Sequence, residues 1–213
     1  MNIIPLDIIK QKRPSFQAYS DLLIKWNKKI NLTSITRPDE IEEIHFIDSL
    51  SCLPYLVSRE TLLNDFCLLD VGAGAGFPGI PIKVACPDIE VTLAEAIKKK
   101  CDFMKEVVRR LGLTGATVLN KRLNAGESVG LFNLIVSRGT FGMDELIRIG
   151  AKNLKPRGLI VSFKGDNVAG EVAAAEREAA KHHMGPIVNV PYKLPYSGRG
   201  RTLLVTEFIS TTP

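Results

Sequence analysis

A chain of 213 residues, 45% apolar and 24% charged, has the length and composition of one ordinary globular domain with a filled core, which excludes disordered and fibrous classes. No apolar run approaches the ~20 residues of a membrane span, and Pro5 and Asp7 interrupt the short apolar stretch at the N-terminus, unlike a signal peptide. The expectation is a cytosolic protein with no membrane partner. The net charge of +5 is uneven: residues 98–122 hold 8 Lys/Arg against 2 Asp/Glu, which suits a polyanionic partner or, equally, a solvated helix face. Cys52, Cys67, Cys86 and Cys101 form no CxxC pair and three of them fall in apolar patterns, so they read as reduced thiols; the three histidines add no metal-ligand set.

Residues 1–65 read as a helical extension. Tyr19, Leu22, Leu23, Trp26 and Ile30 recur at helical spacing, and a second helix starts near Pro38, with Asp39 and Glu40 at its positive end and Ile41, Ile44, Ile47 and Leu50 on its buried side. From Phe66 short apolar runs alternate with amphipathic segments, the pattern of a mostly parallel sheet wrapped by helices over residues 66–213. Strands are expected near 66–71, 90–94, 116–119, 131–137 and 159–163, with helices from Ile97 to Leu111, Asp144 to Asn153 and Gly170 to Lys181. Pro186–Lys193 and Arg201–Ile209 are joined directly through PYSGRG and should form an antiparallel hairpin at the sheet edge, completing seven strands.

The strand FCLLDV runs into Gly72-Ala73-Gly74-Ala75-Gly76-Phe77-Pro78-Gly79, a loop without side chains where the backbone must turn or approach a ligand. Glu95 closes the next strand, placed to accept hydrogen bonds from ribose hydroxyls. GAGFPG fits a dinucleotide fingerprint and DVGAGAG fits the acidic form that binds S-adenosylmethionine. Asp70 discriminates between them: a carboxylate suits the zwitterionic, sulfonium-bearing cofactor and repels a pyrophosphate, unless Asp70 merely caps the turn. With the terminal hairpin, this favours a Rossmann-like class I S-adenosylmethionine-dependent methyltransferase over a nicotinamide oxidoreductase.

WNKKINLTSI (26–35), HFIDSL (45–50), LLDVGAGAGFPGIPI (68–82), IVSR (135–138) and FKG (163–165) together resemble the bacterial glucose-inhibited division protein B family over nearly the whole chain. That family comprises the small-subunit ribosomal RNA guanine-N7 methyltransferases. The resemblance implies S-adenosylmethionine as donor and a guanine in the decoding-region loop of 16S ribosomal RNA as acceptor. It assigns Gly72, Gly74, Phe77 and Pro78 to the cofactor loop, along with Ala73 and Gly76 between them. Glu95 stands in a position usually aspartate, Arg138 follows the fourth strand, and Lys164 and Arg201 lie beside the active-site mouth. Asn124 replaces a common acidic residue near the adenine, and Gly139-Thr140-Phe141 replaces a small-aromatic run.

The chemistry is compatible with this set. Guanine N7 carries an in-plane lone pair and no proton, so methyl transfer needs alignment rather than a base or nucleophile. The loop Ser137-Arg138-Gly139-Thr140 lacks the Asn/Asp-Pro-Pro-aromatic pattern of exocyclic amine methylation, and Cys86 lies on the wrong side for a carbon-5 mechanism. Arg138 should project into the cofactor mouth, or bridge to a carboxylate such as Asp70. Asn31, at the expected end of the first long helix, is a pocket residue or a cap. His45 and Asp48 share a helical face and touch each other or the cofactor. Lys98, Lys99 and Lys100 sit at a helix end unfavourable for cations without an anion nearby. With Lys121, Arg122, Lys164, Arg199 and Arg201 they would make a basic rim for RNA. A monomer is expected. Methyltransferases for another RNA, a protein or a small molecule, and a non-catalytic RNA-binding module, remain as alternatives.

Overall fold

The computed structural model describes residues 4–59 and 65–209. The junction expected near residue 65 and both chain ends therefore border segments (1–3, 60–64, 210–213) outside the described residues. Helices α1 (Pro5–Gln11) and α2 (Arg13–Asn27) each carry proline in the first turn, where its missing N–H costs nothing. Phe16, Tyr19 and Leu23 bury one face of α2. The helix stops at Asn27, short of the expected Ile30, because the Asn27 side chain closes the loop that follows: its Oδ1 accepts the N–H groups of Leu32 (2.8 Å) and Thr33 (3.0 Å), and its Nδ2 donates to Thr33 O.

The expected helix over 38–50 is a continuous rod with a π-helical centre: α3 (Pro38–Glu40), a π segment (Ile41–Ile47), then α4 (Asp48–Leu50), with α5 (Leu53–Ser58) after it. Every residue from His45 to Leu50 is buried. A one-sided apolar stripe is therefore the wrong description of this rod, and its polar members must find partners inside the protein.

Seven strands form one sheet in the order β3-β2-β1-β4-β5-β7-β6, namely β1 (Cys67–Val71), β2 (Glu90–Glu95), β3 (Ala116–Asn120), β4 (Phe132–Arg138), β5 (Leu154–Lys164), β6 (Val188–Lys193) and β7 (Gly200–Glu207). All neighbours are parallel except β7, which runs antiparallel to both β5 and β6, so the expected terminal hairpin is present, with β6 on the edge. The helices α6 (Gly79–Ala85), α7 (Lys98–Leu111), α8 (Met143–Gly150) and α9 (Ala169–Lys181) make the crossovers. Gly112, at φ +62°, ends α7 in the left-handed conformation that glycine reaches without penalty. Strand alternation sorts the sheet into two cores. Leu68, Leu134 and Val136 face α6, α7 and the N-terminal helices, whereas Leu69, Val71 and Ile135 face α8 and α9. The first core runs without a break from Phe16 and Tyr19 to the sheet. All four cysteines are free thiols, as expected, Cys52 and Cys101 buried and Cys67 and Cys86 half-buried.

Strand order reverses between β1 and β4, which opens a crevice beyond their carboxyl ends. Period-two alternation also decides where the two charged residues of these strands point. Asp70 shares the face of Leu68, and Arg138 that of Val136, so both side chains turn toward the N-terminal helices.

Candidate active site

The loop between β1 and α6 is shaped by contacts on its inner side. Asp70 is fully buried, and its Oδ2 accepts the N–H of Gly79 (2.7 Å) at the first turn of α6, while Oδ1 has no hydrogen-bond partner. Burial pushes this carboxyl up to about 7, against the opposing pull of the Gly79 N–H and the Arg138 charge. Asp70 thus acts on the start of α6 from behind the loop and does not line a cavity. Gly76 has no room for a side chain: at φ +92°, a Cβ would lie 2.4 Å from Ile80 Cδ1 and 2.7 Å from the Tyr19 hydroxyl, which itself donates to Ala75 O. Ala73 and Phe77 are buried, and Pro78 is the N-cap of α6. These residues hold the loop's curve from inside.

On the outer side, a cavity of about 350 Å³ is lined by Gly72, Gly74, Glu95, Ile97, Lys100, Arg122, Leu123, Thr140 and Phe141, among others. Glu95 is buried and clamps the floor: Oε2 accepts the N–H of Gly74 (2.9 Å) and Oε1 that of Ile97 (2.8 Å). A Cβ on Gly74, at φ +59°, would project into open space, with Gly72 O its nearest neighbour at 3.9 Å. A cradle that only a missing side chain keeps open, a carboxylate on its floor and apolar flanks from Ile97 and Leu123 fit a charged nucleoside cofactor. Asn124 is not part of this wall. It is exposed, its backbone N–H bonds Glu127, and Arg122 and Leu123 take the place expected for it.

A second cavity, about 660 Å³, adjoins the first across the shared wall Thr140–Phe141 and is lined by His45, Asp48, Arg138, Phe163, Lys164, Glu171 and Arg201, among others. Arg138 is the hub of its inner wall. Its Nη1 donates to Ile44 O (2.8 Å) and Asp48 Oδ2 (3.2 Å), its Nη2 to His45 Nδ1 (3.1 Å), and the guanidinium lies 5.0 Å from the centre of the Phe77 ring. The carboxylate it meets is Asp48, not Asp70, since the π-helical rod covers that face of the sheet. Asp48 also accepts from the Tyr192 hydroxyl (2.7 Å) and lies 3.6 Å from Arg201 Nε, so one buried carboxylate serves two arginines and a tyrosine. Burial and Asp48 raise the Tyr192 hydroxyl above its ordinary range.

His45 and Asp48 therefore meet through Arg138. Arginine only donates, so His45 Nδ1 is the acceptor and Nε2 carries the proton that reaches Thr33 Oγ1 at 2.8 Å. Burial first and the Arg138 charge second push the imidazole down to about 3, so it is neutral and engaged at both nitrogens. Asn27 and Thr33, which sequence reasoning passed over, fix this end of the network. Asn31 is exposed, lies beyond the end of α2 and lines neither cavity. Tyr192 was likewise missed, because nothing local marks a strand tyrosine as the partner of an aspartate 144 residues away.

The basic residues divide. Lys100 and Arg122 line the first cavity and Arg201 the second. Lys98 and Lys99 are exposed beside the mouth, Lys98 pairing with Asp102 at 3.2 Å, and Lys121 pairs with Glu127 at 3.4 Å. Lys164 is largely buried, held by Glu171 (2.7 Å) and Phe141 O, so it shapes the second cavity and is not a free cation of the rim. Arg199 is exposed in the β6–β7 turn and lines neither cavity. That turn is tied to the π segment by buried Glu43, which accepts the N–H groups of Tyr196 and Ser197.

The family described as GidB, rRNA small subunit methyltransferase G, matches residues 12–193. The ribosomal RNA small subunit methyltransferase G of Desulforamulus reducens is 36% identical over 212 residues, covering 97% of this chain and 86% of that protein. The corresponding protein of Carboxydothermus hydrogenoformans is 37% identical over 215 residues, covering 98% and 88%. The chain belongs to this family. Solved structures agree on the fold: a methyltransferase from Pyrococcus furiosus superposes with TM-score 0.60 at 15% identity, covering 93% of this chain and 98% of that one. An S-adenosylmethionine-dependent methyltransferase from Aquifex aeolicus gives 0.56 at 17%, covering 81% and 99%. The GidB chain has the class I methyltransferase fold and is an S-adenosylmethionine-dependent methyltransferase, which sets the nicotinamide reading aside.

Proposed function

We propose that this chain transfers a methyl group from S-adenosylmethionine to N7 of a guanine in the decoding-region loop of 16S ribosomal RNA in the small subunit, the acceptor implied by family membership. The observation that carries the reading is the make-up of the second cavity. Among the described residues that line it, no cysteine occurs, His45 is engaged at both nitrogens, and the carboxylates of Asp48 and Glu171 are each held by cations. Such a wall aligns and desolvates but offers neither a base nor a nucleophile, which suits an acceptor that has a lone pair and no proton to lose.

In this reading the first cavity holds the cofactor, with Glu95 toward the ribose, Ile97 and Leu123 flanking the adenine, and Gly72 and Gly74 under the methionine end. S-adenosylmethionine supplies an electrophilic methyl on a sulfonium. Phe141 and Phe163 give a base pulled out of its stack an apolar surface. Arg201, whose Nε has no hydrogen-bond partner, is available to the guanine O6 or to a phosphate. Arg138 keeps positive charge against the wall without competing for the N7 lone pair. Lys98, Lys99, Lys100 and Arg122 draw in the RNA backbone. Residues 1–65 are a helical extension of a methyltransferase domain over 66–213, and the working unit is a monomer in the cytoplasm. The test is to incubate the enzyme and methyl-labelled cofactor with 30S subunits from cells lacking this activity and to map the label. One N7-methylguanine in the decoding-region loop is expected; label on another base, or none, refutes the reading.

A further inference from the structure

The basic surface does not end at the cavity mouth. Helix α7 begins there and is 14 residues long, about 21 Å at 1.5 Å per residue. Lys98, Lys105 and Arg109 recur along it at helical spacing, with Arg110 beside them, and all four are exposed. Helix α2 packs against α7 through Trp26 on Phe103 (5.7 Å between ring centres), which brings the exposed Lys25 and Lys29 to the same side. The juxtaposition is electrostatically evident: Arg109, Arg110 and Lys25, from both helices, all draw down the Glu106 carboxyl. Only Asp102 and Glu106 oppose these cations on α7, pairing with Lys98 and Arg109, while Lys25, Lys29, Lys105 and Arg110 have no acidic partner within 4 Å among the described residues.

We infer that this α2–α7 face is a second RNA-docking surface, a track for the phosphate backbone that leads away from the cavity mouth and holds the structured RNA around the extruded base. The inference rests on the RNA substrate proposed above and deepens it. A stripe of long, unpaired cations beginning at the cofactor cavity matches a continuous polyanion. Its contacts would add affinity and salt dependence without sequence preference. It has no part in cofactor binding, since of α7 only Lys100 lines the first cavity.

The experiment uses the full chain with Lys25→Gln, Lys29→Gln, Lys105→Gln and Arg110→Gln combined, and a second variant reversing the same four to Glu. Binding to 30S subunits and to decoding-region RNA is measured from low to high salt, beside S-adenosylhomocysteine affinity and thermal stability. Each lost phosphate contact lowers the slope of log K against log salt by roughly 0.7 to 0.9. The neutral variant should therefore flatten it by about 2 to 3 and weaken binding at least tenfold at physiological salt, with KM raised, kcat at saturating RNA held and cofactor affinity unchanged. An unchanged slope and KM in a variant that still methylates 30S subunits overturns the inference. Lost binding to anionic lipid vesicles with RNA affinity intact would assign the face to membranes and overturn it too. If the parent protein fails to methylate 30S subunits at all, it is the proposed function that falls.

Discussion

Replacing Asp48 by alanine tests the network behind the second cavity. The Asp48 carboxylate is 4% exposed and stands between Arg138 at 3.2 Å and Arg201 at 3.6 Å, with the Tyr192 hydroxyl on its other oxygen. Its removal leaves two guanidinium groups facing each other without a counter-charge and a buried hydroxyl without an acceptor. Breaking a buried ion pair by deleting one partner costs about 3–5 kcal/mol. A chain of this size loses about 2–4 °C per kcal/mol, so Tm should fall by roughly 6–20 °C. Asp48→Asn keeps an oxygen for Tyr192 and loses only the charge. Its cost should be nearer the ~1.5–3 kcal/mol of a charge-assisted hydrogen bond. Urea denaturation of both variants, with calorimetry of S-adenosylhomocysteine binding, reads the effect. Cofactor affinity should survive in the folded fraction, because Asp48 does not line the first cavity. A loss below 1 kcal/mol for Asp48→Ala would show that the carboxylate does not hold the arginines, and the account of this wall would be wrong.

Gly74→Asp keeps the fold, since aspartate tolerates the left-handed φ of +59° and its Cβ meets no clash. The added carboxylate, however, enters the cofactor cavity beside Glu95, and calorimetry should show S-adenosylhomocysteine affinity reduced at least 100-fold. His45 titrates near 3 in the folded state, below its ordinary value. Its contribution is therefore complete above pH ~6.5 and lost as pH falls toward 3, at about 1.4 kcal/mol per pH unit, and His45→Gln should flatten that acid limb in pH-dependent urea melts. Asp70 has the opposite sign: with a folded value of about 7, its contribution is complete below pH ~4 and lost as pH rises through 7. Asp70→Asn retains an acceptor for the Gly79 N–H, so the variant should gain stability over the parent at pH 8 relative to pH 5, and parallel profiles would contradict the assignment.

Much of this protein is written locally. The glycine loop, the strand alternation that sends Asp70 and Arg138 to one face, the lysine-rich start of α7 and the terminal hairpin follow from backbone preferences and periodicity within a few residues of each position. For the same reason the cofactor cavity was largely legible in Gly72, Gly74 and Glu95. The partners of those residues were not. Arg138 reaches Ile44 and Asp48 across 94 and 90 residues, and Tyr192 reaches Asp48 across 144. Nothing in the chain near Asn31 reveals that Asn27 closes the loop and Thr33 takes the imidazole proton. Sequence determines which side chains are available and which way a strand turns them. Only packing the π-helical rod against the sheet decides which buried charges must meet, since each unpaired ionic or polar group inside the core demands a partner, however distant in sequence.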